Sequence, residues 1–297
     1  MKVDFLMRSL MFVPAHNQRL LDSAARTNAD ILLLDIEDSV QPIENKQIAR
    51  DNIIRCATSG FFKDKLLFPR VNDRESGQLL KDVHQLTIDG IAGFMYPKVK
   101  KGEDVYFFGK LLETIEYEKG YPIGTFKIIA LIETTGAVMN IQDICTICPN
   151  RLIAVAFGCE DFVTDLEGKH DAEGDSIFTA RSMIAMGARA SEVIPIDTVH
   201  IKVHDLEDLE RNLILSKKLG FEGMLVLNPK ELPLVHQYYS PSQEDVLWAK
   251  EMLLLSEEAI TQGQGVAVKD GKFIGPPMVK MAKKILNKHT LLENREK

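Results

Sequence analysis

The 297-residue chain is poor in the residues that staple small folds, with four cysteines and a single tryptophan. Four thiols in a chain of this length do not make a disulfide framework. Cys145 and Cys148 form a C-x-x-C, a spacing that invites a redox or zinc reading. No second such pair occurs, the segment follows a helical pattern rather than opening one, and Cys148 precedes Pro149. Thiols buried near a helix end are therefore expected. Positive charge is also scarce. The 36 Lys and Arg stand against 43 Asp and Glu, giving a net charge of −7. Nucleic acid rewards a basic face, so no such partner is expected. No stretch approaches the roughly 20 uncharged apolar residues of a bilayer span, so no membrane partner is expected either. The N-terminal MKVDFLMRSLMFVPAH is interrupted by Asp4 and Arg8 and leads to no small-residue cleavage site. A signal peptide is not expected, and the cytoplasm is the expected compartment.

What is present is ordinary globular material, 45% hydrophobic and 27% charged. Short apolar runs alternate with longer amphipathic stretches. Strand candidates fall at Ser9–Val13, Ile31–Asp35, Lys65–Arg70, Gly93–Pro97, Lys127–Ile132, Leu152–Phe157, Asp197–Ile201 and Gly223–Leu227. Runs such as ILLLD and KIIALI are nearly all apolar, as in parallel strands buried on both faces. Between them, Asn17–Thr27, Ile43–Ala57, Glu103–Lys119, Ser176–Ser191 and Leu206–Leu219 carry apolar residues at helical spacing. Eight strand–helix units, with no G-x-G-x-x-G after the first strand, predict a (β/α)8 TIM barrel rather than an open doubly wound sheet. The barrel is assigned to residues 1–235. Residues 236–297 form a C-terminal extension that packs on the barrel or on a neighbouring subunit. It holds a long helix over Asp245–Gln262, a hairpin turning at Asp270-Gly271, a last helix from about Met278 to Asn287, and a fraying charged end.

Barrel enzymes place their chemistry at the C-terminal ends of the strands. Here five consecutive strand ends carry charge: Asp35-Ile36-Glu37-Asp38, Phe68-Pro69-Arg70-Val71-Asn72, Tyr96-Pro97-Lys98, Ile132-Glu133-Thr134 and Phe157-Gly158-Cys159-Glu160-Asp161. Carboxylates without a histidine or cysteine cluster suit a hard cation such as Mg2+. Glu133 and Asp161, each following a strongly apolar strand, are the candidate metal ligands. A metal there would chelate a 2-oxo or 2-hydroxy acid and act as a Lewis acid. Arg70 offers a planar fork for a substrate carboxylate. Those parts suit an aldol or retro-aldol reaction.

Structural roles compete for several of these residues. Asp35, Glu37 and Asp38 can pair with Lys98, Arg70 or Lys46, and Asp38 near a helix start suits an N-cap. Glu37 is open to either a functional or a structural role. Lys98 is expected to be a solvated or supporting lysine rather than a Schiff-base former. Of the seven histidines only His200 and His204 stand four apart. They fall at a strand exit, so convergence on a metal is not implied. Ser9 and Ser39 lack a nucleophile-elbow context.

Taken in order, Arg8-Ser9-Leu10 with Phe12-Val13-Pro14-Ala15, then LLLDIEDSV, FPRVN, YPKV, LIET and FGCEDF resemble the citrate lyase β-subunit family, within the wider group of HpcH/HpaI aldolases and malyl-CoA lyases. The resemblance continues through ARSMIAMGARA, GFEGMLVLNP, SPSQEDVLWA and DGKFIGPPMV, covering nearly the whole chain. It implies a (β/α)8 barrel assembled as a homotrimer or a multiple of it. It implies Mg2+ on Glu133 and Asp161, a substrate carboxylate on Arg70, and Glu133 touching both metal and substrate. Backbone N–H groups around Cys159 and Glu160 would face the bound oxo acid. The implied reaction splits a citryl-, malyl- or citramalyl-thioester, carried on coenzyme A or an acyl carrier protein, into an acyl thioester and a 2-oxo acid.

The chain departs from the family pattern at three places. Gly275 stands where many members carry a tail aspartate that reaches a neighbour's active site, and a glycine does no acid–base work. Met224 and Asn228 replace a lysine and a histidine near the eighth strand. These departures keep two alternatives open: a thioesterase or free-acid aldolase on the same scaffold, and a non-catalytic subunit that binds an oxo acid. The substrate, its stereochemistry, the carrier and the general base are not fixed by the sequence.

Overall fold

The computed structural model describes residues 5–62, 65–171, 174–263, 265–269 and 272–296. The chain divides into two compact units. One takes in Met7–His236, and the other takes in Phe5–Leu6 together with the chain from Gln237 onward.

The first unit is a parallel barrel. Its strands are β1 (Ser9–Pro14), β2 (Ile31–Asp35), β3 (Leu66–Leu67), β4 (Gly93–Tyr96), β5 (Lys127–Ile132), β6 (Leu152–Phe157), β7 (Ile194–Asp197) and β8 (Gly223–Val226). Between and beyond them lie α1 (Gln18–Ala25), α2 (Asn45–Thr58), α3 (Leu79–Leu86), α4 (Gly102–Lys119), α5 (Thr135–Met139), α6 (Ile141–Thr146), α7 (Cys159–Asp165), α8 (Asp175–Ala190), α9 (Leu206–Leu219) and α10 (Leu232–Tyr239). The strand order β3-β2-β1-β8-β7-β6-β5-β4 runs in sequence around a ring. Isolated bridges from Asp35 to Arg70 and from Arg70 to Met95 link β2, the chain after β3, and β4. The fold is thus a nearly closed (β/α)8 barrel, as the alternation of patterns predicts.

Burial explains the regularity. Every residue of β2 and β6 is buried, which is what a strand lined by helices outside and side chains inside requires. Gly223 begins β8 because the chain is pressed against β1; a Cβ there would lie 1.8 Å from the Met7 carbonyl oxygen.

Two strands differ from the sequence reading. Regular pairing of the third is limited to Leu66–Leu67 and resumes only as a bridge at Arg70. Pro69 has no N–H to give the ladder, although its carbonyl accepts the Met95 N–H at 2.9 Å. The seventh strand is Ile194–Asp197, not Asp197–Ile201. Pro195 discourages a strand there, but its carbonyl accepts the Glu222 N–H at 3.0 Å and only one ladder bond is forfeited. Asp197, not Ile201, ends the strand, and the buried fork of Arg181 holds it through Nε at 3.1 Å and Nη2 at 2.5 Å.

Cys145 lies buried near the end of α6, and half-buried Cys148 follows it; both thiols are free. Burial pushes the Cys145 thiol up to about 12, as expected for inert rather than redox cysteines.

The second unit contains α11 (Gln243–Thr261), a hairpin of β9 (Ala267–Lys269) and β10 (Lys272–Ile274), and α12 (Pro276–Glu296). Ala249, Met252, Ala259, Ile274 and Ala282 form its core. Ser242 accepts the Asp245 N–H while Asp245 accepts the Ser242 N–H, so a capping box starts α11 two residues before the expected point. The turn expected at Asp270-Gly271 lies outside the described residues. The last helix extends well past Asn287, and the end expected to fray is helical through Glu296. An ion pair of His289 with Glu293 at i, i+4 supports it. No helix among the described residues is long and apolar enough to cross a membrane.

Candidate active site

The charged strand ends come together on one rim. Asp35 closes β2 with its carboxylate 1% exposed, and it meets Arg70 as a two-point fork: Nε to Oδ1 and Nη2 to Oδ2, both 2.7 Å. Burial alone would raise Asp35, but Arg70 outweighs it and holds the carboxyl below its usual value. Ser39 also donates to Asp35. The Arg70 guanidinium lies over the Phe12 ring at 4.8 Å. Its remaining edge faces Glu37, Nη1 to Oε2 at 3.1 Å. One edge of the clamp expected to hold substrate is therefore occupied from within.

Glu37 is buried beyond β2. Lys98 Nζ lies 3.1 Å from its Oε1 and is shared with Asp38 at 3.8 Å and Asp73 at 3.5 Å. Neither Glu37 oxygen has an aligned hydrogen-bond donor. Burial raises its carboxyl to about 7, with Asp38 adding to the shift and Arg70 and Lys98 opposing it. The backbone of this loop is fixed from beneath. The buried Lys46 ammonium donates to the carbonyls of Ile36 and Glu37 at 3.0 and 3.1 Å and also binds Asn72. Asn72 in turn donates to Asp82. Lys46 sits in the amphipathic pattern of α2, where nothing in its spacing marks this task.

Asp38 does not cap a helix. It is 54% exposed at the side chain, and α2 begins after Glu44 with no side-chain cap. The cis Gln41-Pro42 bond and intervening turn separate Asp38 from the helix start. Lys98 is a partly exposed supporting lysine, as expected, but its backbone has a second role. Its N–H donates to Glu133 Oε1 at 2.6 Å.

Glu133 follows β5 and is 2% exposed. Its carboxyl is raised well above normal. Burial is the main cause, the charges of Glu37 and Asp161 add to it, and the Lys98 N–H and Arg70 oppose it. With Oε1 engaged, Oε2 has no hydrogen-bond donor among the described residues. Gly158 makes room for this side chain. A Cβ there would come within 2.9 Å of Glu133 Cβ and 3.0 Å of Oε2. Asp161, exposed on α7 beyond β6, makes no hydrogen bond or ion pair among the described residues.

This arrangement fits a hard divalent cation. Two carboxylates on neighbouring strand ends repel each other, one is too buried to ionise easily, and the nearby cations are committed to Asp35, Glu37, Asp38 and Asp73. A dication between them would relieve both penalties. Oxygen donors of this kind, few in number, suit Mg2+.

Cys159 is buried at the start of α7, and its N–H donates to Thr198 Oγ1 at 3.2 Å. Burial raises its thiol to about 12. Glu160 is exposed and pairs with His170 at 3.0 Å. His200 is a buried histidine held on one side: Nε2 meets Asp208 at 3.0 Å, while Nδ1 faces Glu231 at 3.6 Å without a hydrogen bond. Met224 is buried in β8. Asn228 caps the turn at Pro229–Glu231, accepting the Lys230 N–H at 3.1 Å and donating to the Val203 carbonyl at 3.1 Å. Gly275, in the second unit, lies under the Phe273 ring, where a Cβ would approach to 2.5 Å.

Comparison with known proteins finds relatives over nearly the whole chain. The citrate lyase subunit beta of Haemophilus influenzae is 31% identical over 283 residues, covering 95% of this chain and 97% of that protein. The L-malyl-CoA/beta-methylmalyl-CoA lyase of Rhodobacter capsulatus is 27% identical over 301 residues, covering 95% and 94%. Among solved structures, a citrate lyase from Burkholderia xenovorans LB400 superposes with a TM-score of 0.81 at 17% identity, covering 96% of this chain and 92% of that one. The CitE protein of Mycobacterium tuberculosis, in complex with magnesium, acetoacetate and coenzyme A, superposes with a TM-score of 0.72 at 23% identity, covering 97% and 100%. The two structural likenesses are likenesses of fold. The HpcH/HpaI aldolase/citrate lyase family model matches residues 8–229, which span the barrel and all five charged strand ends, and the chain belongs to that family.

Proposed function

We propose that this chain is a Mg2+-dependent carbon–carbon lyase that cleaves, or in reverse forms, a citryl-, malyl- or citramalyl-type thioester, giving an acyl thioester and a 2-oxo acid. The observation that carries the reading is the buried Glu133 carboxylate, crowded by Glu37 and Asp161 and left with one oxygen unbonded. Glu133 and Asp161 hold the metal, which when bound supplies Lewis acidity toward an oxo or hydroxyl oxygen of the acid. Arg70, anchored by Asp35, orients the substrate carboxylate with its outer edge. The bond between the hydroxyl-bearing carbon and the acyl α-carbon breaks. The hydroxyl loses its proton to a base, and the α-carbon takes one up. Glu37, with a carboxyl near 7, exchanges protons readily at neutral pH and helps to bind the acid beside Arg70. Glu160 and the backbone around Cys159 border the oxo-acid pocket.

The malyl-CoA lyase relative and the coenzyme A bound to the CitE protein support a thioester substrate. The acyl carrier protein as an alternative carrier and the homotrimer or a multiple of it rest on the motif resemblance, and the cytoplasm on the N-terminal sequence. The division near His236 supports a barrel followed by a separate extension; its packing on the barrel or on a neighbouring subunit rests on the sequence reading. Gly275 favours a second reading, a thioesterase or free-acid aldolase on the same scaffold, because no carboxylate is offered from that position. The deciding assay supplies citryl-, malyl- and citramalyl-coenzyme A beside the free acids, with and without Mg2+. Mg2+-dependent release of a 2-oxo acid from a thioester is the expected result. Hydrolysis of the thioester without a 2-oxo acid, or cleavage of free acids alone, would replace the leading reading with the second. Binding of oxaloacetate without turnover of any substrate would mark a non-catalytic subunit.

A further inference from the structure

A second group of ligating atoms lies beside this rim; the reading above gives Glu160 and the Cys159 backbone only a bordering place and uses neither the Cys159 thiol nor His170. We propose that Cys159 Sγ, Glu160 Oε1 and His170 Nε2 form a binding site for a soft divalent cation of the Zn2+ or Cd2+ class, separate from the hard-cation site at Glu133 and Asp161.

These three ligand atoms all lie within 4.8 Å of one another, the one group of three such residues to do so among the described residues. Sγ is 3.9 Å from Glu160 Oε1, and His170 Nε2 is 3.0 Å from the same oxygen. Bond lengths of about 2.3 Å to sulfur and 2.0–2.1 Å to nitrogen or oxygen, at tetrahedral angles, put ligand atoms roughly 3.4–3.6 Å apart. The two separations to Glu160 Oε1 lie on either side of that spacing, and the third pair, within 4.8 Å, closes onto an ion by side-chain rotation of the partly exposed His170. Three protein ligands leave a fourth tetrahedral position for water.

The donor set selects the ion. Sulfur and imidazole favour Zn2+ and its softer relatives, whereas Mg2+ takes oxygen ligands. An ion pair accounts for His170 against Glu160, both partly exposed. It does not require a buried thiol aimed at the same carboxylate oxygen, and that convergence is what a metal uses.

The ligands are also held in place. Cys159 and Glu160 are adjacent on the first turn of α7. The loop carrying His170 is fastened on both sides. The Gly168 N–H donates to the Val163 carbonyl at 3.0 Å. Asp171 accepts the N–H groups of Asp175 and Ser176, each at 2.8 Å, at the start of α8.

The test uses the reduced full-length protein in saturating Mg2+, titrated with Cd2+ and followed by the thiolate-to-cadmium ultraviolet charge-transfer band. One Cd2+ per chain is expected, with the band kept in Cys148→Ser and in Glu133→Gln. The band should vanish in Cys159→Ser, and affinity should fall at least about tenfold in His170→Ala. Circular dichroism checks each fold, and His170→Ala carries the test if Cys159→Ser does not fold. Absence of the band in the folded wild type, its persistence in Cys159→Ser, or unchanged affinity in His170→Ala would overturn the site. The readout needs no turnover, so it stands or falls independently of the lyase reading.

Discussion

The Lys98 N–H reaches Glu133 Oε1 across 2.6 Å from a backbone held at φ 53°. A side-chain-bearing residue at positive φ is uncommon and costs energy. Here it turns one N–H inward to the buried carboxylate while the lysine side chain runs outward to Glu37, Asp38 and Asp73.

Replacing Lys98 therefore separates two effects. Lys98→Gly and Lys98→Ala both lose the ion pairs and keep the N–H, but only glycine is at ease in this conformation. Urea denaturation should find the glycine variant more stable than the alanine variant by about 1 kcal/mol. Equal stabilities would mean that the backbone is not constrained in solution.

Glu133→Gln and Asp161→Asn should each fold normally and each lower kcat/KM by at least about a hundredfold, the scale on which a lost electrostatic partner is felt. The Mg2+ concentration needed for half-maximal rate should rise in both. Steady-state assays across a Mg2+ series read this directly, and full activity in either variant removes that residue from the site.

Gly158→Ala tests the space beside Glu133. The new methyl would crowd Glu133 Cβ and Oε2, so the carboxylate must move. Overpacking of this kind costs about 1–3 kcal/mol. The sharper consequence is a weakened Mg2+ dependence with a fold still intact by circular dichroism. Wild-type metal dependence in a folded Gly158→Ala protein would show that Glu133 is not confined.

Acid stability reports on a different place, the network around His200. Burial opposes ionisation of Asp208, but bonds from His200, Arg211 and Lys202 outweigh it and hold its carboxyl at about 2. A lowered carboxylate stabilises the fold above its unfolded value of 3.8, and this contribution fades as pH falls toward 2. His200 is shifted the other way. Burial disfavours its charge, yet Glu231 and Asp208 outweigh burial and raise it. Its contribution is complete below 6.5 and fades as pH rises through the folded value. Urea midpoints should drop between pH 4 and pH 2 in the wild type and much less in Asp208→Asn. Parallel acid profiles for the two proteins would contradict the assignment.

The barrel was legible because its strands are buried on both faces and so read as unbroken apolar words, ILLLD and LIAVAF among them. The placement of β7 was not, because VIPIDTVHI contains two equally apolar runs and the proline sits in the one that forms the strand. The short helices α5, α6 and α7 have too few turns to display a period. At the site, Glu133 stood out as a carboxylate directly beyond a hydrophobic strand and Asp161 as one four residues past the end of another. Arg70 was one of three possible partners for Asp35, but the two-point fork between them depends on how β2 is aligned with its neighbour. Lys46 was legible only as a possible partner for the carboxylates, whereas it serves through the loop carbonyls and Asn72; Gly158 left no mark, because it serves by having no side chain.

The fork has a further consequence. A guanidinium gripped along one side can meet a visitor only along the other, and Glu37 already stands there. An acid bound as proposed above would share that edge with Glu37 and approach in the plane of the arginine. On the proposed reading, the angle of entry is thus set before any substrate arrives.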